Sequence, residues 1–500
     1  MQQCQNARLA FKHNPRQLLD RIGDLKTAFD EALYPMTRPI WAQQPVLLAV
    51  LALAIILRLI GVVANNEAND PHLEVSQIMA YEHRMPAATE VWESFQPKLY
   101  HATVAAFLMV LPRKLPEVLQ MRVAQAVSGA AGIATLFLLL GFLCGLPLAA
   151  RTQQLAFALV ALNPKMIATS IQATNDAFVI LFATLALTAG FRFFKAYERR
   201  DFAWMTAGVL LACISKGSGL PLVIAVLCTF AAALLRPTIS RRRIFGYAAA
   251  LVLAFIVFVP VAGEYWARYQ QTGNAFWSSQ APSPPPRFLE ETFVKPKRPG
   301  ITSVVGGYFT FRLVDLLEEP LVTNGLDVYP PHRTSLWSFA YGSAHSNHYD
   351  NYPPTWALGN AGVLWLLRTI FIVALVPTAL LVIGTARGVL RTAADLFSGA
   401  PPSDWSARVL LAVVTSGYVA FLMLYSYQYR DFGTMKPIFI YPVMAPLMAY
   451  YALELQRIQN RGKTLAASIA TGSAALLCVA YLADSVVLLV HLILQRLHLM

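Results

Sequence analysis

The chain has 500 residues, of which 56% are hydrophobic and only 13% charged, with a positive mean hydropathy. Those values lie outside the soluble range, and several windows exceed the roughly 20 apolar residues needed to cross hydrocarbon, which excludes an ordinary soluble domain. The net charge of +13 would suit nucleic acid, but the basic residues sit in short clusters between apolar runs, where the positive-inside rule puts them, so no nucleic-acid partner is expected.

In chain order, a polar segment 1–45 with six Lys or Arg reads as a cytoplasmic N-terminal segment. It has no short cleavable signal, so the first apolar run is a retained span. The spacing predicts apolar runs at 46–63, 122–146, 153–170, 177–194, 203–217, 219–235, 245–266, 357–386, 408–428, 437–455 and 465–490. The expected fold is therefore an all-α polytopic membrane protein of about 11 transmembrane helices. Between the runs lie Arg151, then Lys195, Arg199 and Arg200, then Arg236 with Arg241 to Arg243, then Arg387 and Arg391, then Arg457, Arg461 and Lys463. Starting from a cytoplasmic N-terminus and alternating, every one of these clusters falls in the cytoplasm.

That alternation holds only if 96–112, "QPKLYHATVAAFLMVLP", does not cross. It offers about 13 apolar-leaning residues between two prolines, too few for a span, and reads as an interfacial or re-entrant helix on the outer face. The organisation predicted is a cytoplasmic segment 1–45, a transmembrane core 46–266 containing a first outer loop 64–121, an extracytoplasmic Pro/Tyr/Trp-rich region 267–356, and C-terminal transmembrane helices 357–500. No internal repeat is visible, which weighs against a secondary transporter. The five cysteines, Cys4, Cys144, Cys213, Cys228 and Cys478, have no metal-ligand spacing.

Several ionisable residues fall where they should be costly. The first outer loop carries Glu67, Asp70, Glu74 and Glu82 on a segment spaced as an amphipathic surface helix. Carboxylates there could act as a general base or bind a divalent cation, and the sequence leaves both open. Asp176 follows Asn175 at the start of an apolar run, where a helix N-cap is the ordinary reading. Lys216 precedes Gly217 at an outer turn, where snorkelling is the ordinary reading. His345 and His348 are spaced by three, a weak zinc pattern.

In order, the segments "NDPHLEVSQIMAYEHRMP", "FQPKLYHATVAAFL", "ALNPKMIATSIQATNDAFVILF", "SKGSGLPL" and "YQYRDFGTMKPIFIYPVMAPL" together resemble the integral-membrane glycosyltransferases of the GT-C class. The resemblance is to the branch containing protein O-mannosyltransferases and bacterial lipid A aminoarabinose transferases. It covers the first half in motif order and the second in layout. Asp70 takes the first acidic position and Asp176 the second. The sequence departs from the pattern at Pro71, where a neighbouring acid is usual, and at Gln96 and Lys98 in the Pro-Pro-Leu segment.

The resemblance implies transfer of a sugar from a polyprenyl-phosphate donor to a glycan, lipid or protein acceptor on the extracytoplasmic face, with inversion, in a multi-pass protein of a bacterial inner membrane surrounded by membrane lipids. Asp70 would be the general base, with Asp176 the second catalytic position and Glu67 and Glu74 as reserves near the substrate. A leaving phosphate needs preorganised cations or a divalent metal, and Lys98, Lys216, Arg430 and Lys436 are the candidates. Arg430 is equally explained by pairing with Asp431. Aromatic residues at 335–356 suit either sugar stacking or an interfacial belt. Rival readings are a lipid-linked sugar flippase, an oligosaccharide ligase or polymerase, and a non-catalytic assembly subunit.

Overall fold

The structure is a computed structural model that describes residues 44–65, 72–112, 115–278, 304–321, 334–346, 357, 359–398, 402–429, 435–462 and 464–497. Among the described residues every regular element is helical. The first long apolar run becomes α1 (Pro45–Ala64), opened by a proline at its first position, where a missing N–H costs nothing. The outer loop follows as a short helix α2 (His72–Gln77), a π turn (Ile78–Glu82) and α3 (Leu99–Val110). The chain continues through α4 (Glu117–Cys144), α5 (Ala150–Ala161), α6 (Pro164–Ile171), α7 (Asp176–Ala196), α8 (Arg199–Ser215) and α9 (Leu220–Leu235). Then come α10 (Arg241–Ala262), α11 (Tyr265–Thr272), α12 (Val304–Tyr308), α13 (Leu313–Glu318) and α14 (Leu336–His345). The C-terminal part holds α15 (Ala361–Phe397), α16 (Trp405–Tyr429), α17 (Met444–Gln459) and α18 (Leu465–Arg496).

Each of the eleven apolar runs forms a helix, but length and composition support eight spans, or nine if the bent pair α5 and α6 is one. The difference from eleven has identifiable causes. Pro164 stops α5 and restarts the chain as α6 at a 49° bend. Helix α8 ends at the Lys216 turn after 17 residues, and α17 starts only after two 3-10 turns that begin at Pro437 and Tyr441. At 1.5 Å per residue both reach about 25 Å, short of the ~30 Å hydrocarbon core. Helix α3, at 12 residues, is too short to span, as the alternation of basic clusters requires.

The break is stabilised from inside the bundle. Arg58, fully buried on α1, donates from Nη1 to the Ala161 carbonyl at the end of α5 at 3.0 Å and from Nε to Ser170 Oγ at 3.2 Å. A charge at this depth is tolerated because it satisfies the Ala161 carbonyl at the bend together with Ala54 O of its own helix. Asn65 caps α6 through Ile171 O at 3.1 Å. Helices α7 and α8 pack closely because Gly208 lies against the backbone of α7: a Cβ there would fall 2.6 Å from Ala186 N.

A small separate apolar core holds the outer loop to one end of the bundle. Leu73, Val75, Met79, Tyr100, Val104 and Leu108 pack against Ala124 and Ala131 of α4 and Ala177 and Phe178 of α7. This satellite core brings the first outer loop over the start of α7.

Candidate functional site

The end of the bundle beneath the outer loop collects ionisable side chains from parts of the sequence far apart. Asp176 is the first residue of α7, and Asn175, not Asp176, occupies the N-cap position without making a side-chain cap bond. The N-cap reading of Asp176 is thus corrected. Its Oδ1 accepts from Lys216 Nζ at 2.7 Å and its Oδ2 from Thr174 Oγ1 at 3.2 Å. Its place in the first helical turn also suits a negative charge.

Lys216 does not snorkel. Its side chain and that of Asp176 are only 13% and 14% exposed, and its ammonium sits 5.6 Å from the centroid of the Phe439 ring. The turn that carries it is pinned by two tyrosines: Tyr265 donates to Cys213 O at 2.9 Å and Tyr418 to Ser218 O at 2.8 Å. The start of α7 is held in turn by Ser128 of α4, which donates to Thr174 O at 3.2 Å.

Lys98, the N-cap of α3, is buried. It donates to Ser94 O, to Gln96 O at 2.9 Å, and pairs with Glu264 Oε2 at 3.3 Å. Burial lowers the Lys98 pKa, and Glu264 works against that shift. Glu264 joins α10 to α11 in the left-handed region, with φ 55°, a conformation that costs a non-glycine residue on the order of 1 kcal/mol and clusters at functional positions. Arg268 follows one turn later, buried and 5.1 Å from the Tyr265 ring centroid.

Between Lys98 and the Asp176–Lys216 pair lie two histidines. His72 Nδ1 is 3.1 Å from His101 Nε2, and His72 also stands 4.0 Å from Glu93. Burial holds His101 well below the ordinary histidine value, and the positive potential of His72, Lys98 and Lys216 adds to this. In the hydrogen bond between the two rings one nitrogen donates and the other accepts, according to the tautomer.

Other sequence-predicted positions fall differently. Glu74 lies on the exposed face of α2, opposite buried His72 and Val75, and Glu82 pairs with Arg84 at 2.7 Å. Lys436 is half-buried directly before the turn that carries Phe439. Asp70, Glu67, Pro71, Arg430, Asp431 and His348 lie outside the described residues. His345 spends both ring nitrogens on hydrogen bonds, with Tyr481 and with Thr378 at 3.1 Å, and burial lowers its pKa to about 3. Among the described residues no group of three or more His, Cys, Asp or Glu is arranged to hold a metal.

Sequence reasoning did not single out His72 or His101 as partners of each other, nor Glu264 or Arg268 as site residues. The available signal for Glu264 was a lone acid ending the apolar run in "FVPVAGEYW", costly at membrane depth unless paired.

A multi-pass bundle, helical in every regular element of its described residues, with paired ionisable groups buried at one end is more than a simple anchor. Residues 101–266 match a family model described as dolichyl-phosphate-mannose-protein mannosyltransferase. The match is confined to that stretch, which is in line with the GT-C class that the sequence resembles and holds His101, Asp176, Lys216 and Glu264. No curated protein matches the chain. Among solved structures, ArnT from Cupriavidus metallidurans in the apo state is similar at 14% identity over 90% of this chain and 77% of that one, with a TM-score of 0.40. The same protein bound to undecaprenyl phosphate gives 15% identity, 86% and 77% coverage, and a TM-score of 0.35. Arabinofuranosyltransferase AftD from Mycobacteria gives 14% identity and a TM-score of 0.43, over 90% of this chain and 27% of that much longer one.

Proposed function

We propose that the protein transfers a sugar from a polyprenyl-phosphate-linked donor to an acceptor on the extracytoplasmic face of a bacterial inner membrane, inverting the anomeric carbon. The observation that carries this reading is the buried Asp176–Lys216 pair at 2.7 Å, set beside Lys98 and its Glu264 partner, around a family domain of sugar transferases. Charge supports this orientation: Lys195, Arg199, Arg236 and Arg241 lie at the opposite helix ends from Asp176 and Lys216, and the positive-inside rule favours the cytoplasm for that basic end.

Transfer requires an acceptor hydroxyl to lose its proton as its oxygen attacks the anomeric carbon, while the bond to the lipid phosphate breaks. Asp70 serves as the base. It precedes His72 by two residues, and His72 is buried within the cluster. Glu67 and Glu74 are the alternative carboxylates of the same loop, and Glu74 is disfavoured by its exposed position. The phosphate leaves with added negative charge, which Lys216 and Lys98 stabilise in a site of low dielectric. An ammonium has three N–H donors, so Lys216 can hold Asp176 and face a phosphate at once. Asp176 acts by fixing where that ammonium points. Arg430 and Lys436 are further candidate cations, and Lys436 stands three residues before Phe439, whose ring meets Lys216.

The test is incubation of purified full-length protein with radiolabelled polyprenyl-phosphate sugars and a membrane extract, with and without chelator. A labelled glycan, lipid or protein product supports transfer, and its loss with chelator assigns a divalent cation. Movement of lipid-linked sugar across proteoliposomes with no labelled product would overturn the assignment in favour of a flippase. Labelling only from oligosaccharide donors would identify a ligase or polymerase.

A further inference from the structure

At the opposite end of the bundle the surface carries a feature that sugar transfer does not use. A cavity of about 640 Å³ opens between α15 and α17, lined by Ile383, Ala386, Arg387, Leu390, Arg391 and Arg457. Three of the six are arginines, drawn from two helices. Arg387 pairs with Glu454, whose other oxygen lies 3.7 Å from Arg457 Nη1. One carboxylate thus faces two of the three guanidinium groups, and the third, on Arg391, is exposed.

The cavity has an amphipathic wall. Ile383 and Leu390, on the same helix, are 46% and 69% exposed, and that helix is long and apolar enough to cross a membrane. The floor exists because α15 is glycine-notched there: Gly384 meets the Tyr450 backbone and Gly388 its ring. The Tyr450 hydroxyl is buried in this contact and has no hydrogen-bond partner among the described residues. The position is distinct from the outer cluster. Arg457 lies 13 residues along α17 from Met444, about 20 Å at helical rise. The far end of α15 is tied to the basic face, where Arg236 donates to Leu396 O at 2.9 Å and Ser398 O at 3.0 Å.

We propose that this cavity binds the phosphate headgroup of an anionic phospholipid from the leaflet on the basic face, with the acyl chains lying along Ile383 and Leu390. Guanidinium groups bind phosphate oxygens bidentately, and basic pockets between transmembrane helices at an anionic leaflet suit such headgroups. The apolar wall selects a lipid over a free anion, because a soluble phosphate would leave Ile383 and Leu390 uncovered.

The experiment is native mass spectrometry of the full-length protein in detergent, titrated with dioleoylphosphatidylglycerol, dioleoylphosphatidylcholine or inorganic phosphate. The expected result is one phosphatidylglycerol retained at concentrations where phosphatidylcholine is not, weakened at least about tenfold by Arg391→Gln with Arg457→Gln, a pair that leaves Arg387 on Glu454. Should that double variant not purify, Arg391→Gln alone, on an exposed side chain, is read instead, with about threefold weakening expected. Unchanged binding in the variant, equal retention of phosphatidylcholine, or displacement of the lipid by millimolar inorganic phosphate would each overturn the proposal. None of these outcomes touches the transferase reading, which rests on the other face.

Discussion

Helices α7 and α8 are joined by an ion pair at each end, and the two pairs are built differently. At one end Arg192 Nε meets Asp201 Oδ1 at 2.8 Å across a connection of nine residues, with the arginine 36% exposed. At the other, Asp176 and Lys216 meet at 2.7 Å across 40 residues, both largely withdrawn from water. The distances are nearly equal, so distance does not distinguish them. The surroundings do. The first pair closes a local turn in which Tyr197 adopts a positive φ. The second is framed by Thr174, Phe439 and the two histidines. Desolvation raises the cost of leaving either partner alone, and that cost is what makes a buried pair worth keeping only where its charges are used.

The sharpest way to break this contrast is Lys216→Met. It strands the Asp176 carboxylate in a buried position, which should cost about 3–5 kcal/mol of stability and abolish sugar transfer. Asp176→Asn/Lys216→Met should recover most of the stability, as read by thermal unfolding in detergent, without recovering transfer. Recovery of both would mean that the pair is structural. Next in size is Asp176→Asn alone. With Lys216 no longer fixed toward the reacting phosphate, turnover should fall on the order of 10²–10³-fold while helicity by circular dichroism is kept. A loss below about threefold would remove Asp176 from the site.

A smaller effect comes from the histidines between Lys98 and Lys216. Folding lowers the His101 pKa below its unfolded value of about 6.5. The unfolded chain then takes up the proton first, so the contribution of His101 is complete above that value and is lost as pH falls below it. The expected slope is at most about 1.4 kcal/mol per pH unit. The charged and titratable groups around it are His72, Lys98 and Lys216, with Glu93 near His72. His345 shifts in the same direction, so the measurement is a difference: His101→Gln should flatten the fall in melting temperature between pH 7 and 5 relative to wild type. An identical profile in the variant would show that His101 does not titrate in that window.

Much of this architecture was legible in the sequence, for reasons of unequal strength. Apolar length announces a span, so ten of the eleven runs each contain one α-helix and the run 153–170 two, and the shortness of α3 followed from the two prolines that bracket it. The count did not carry over, because Pro164, Pro437 and the Lys216 turn shorten or break helices by local chemistry that a hydropathy window averages away. Asp176 and Lys216 stood out singly as charges at membrane depth, but their mutual contact depends on how α7 and α8 pack. That packing rests on the Gly208 notch and on tyrosines from α11 and α16. The His72–His101 contact joins residues 29 apart through the satellite core, a tertiary relation that no spacing rule encodes. Glu264 was visible only as an unexplained acid until α11 turned it toward Lys98.

The smallest expected effect is at the Arg192–Asp201 end of the same helix pair, and it is the control on which the contrast depends. Arg192→Gln leaves beside Asp201, itself only 12% exposed, an amide that can still donate to it, and a pair whose arginine is 36% exposed is generally worth about 0–1 kcal/mol. The variant should therefore lose no more than that in thermal stability, and its sugar transfer should stay within about twofold of wild type. Raising the salt concentration should shrink the stability difference further, since the arginine is open to screening, whereas the loss in Lys216→Met should be nearly insensitive to salt. A large, salt-independent loss in Arg192→Gln would mean that both ends of α7 and α8 are equally committed, and the Asp176–Lys216 pair would then lose its special standing as a site.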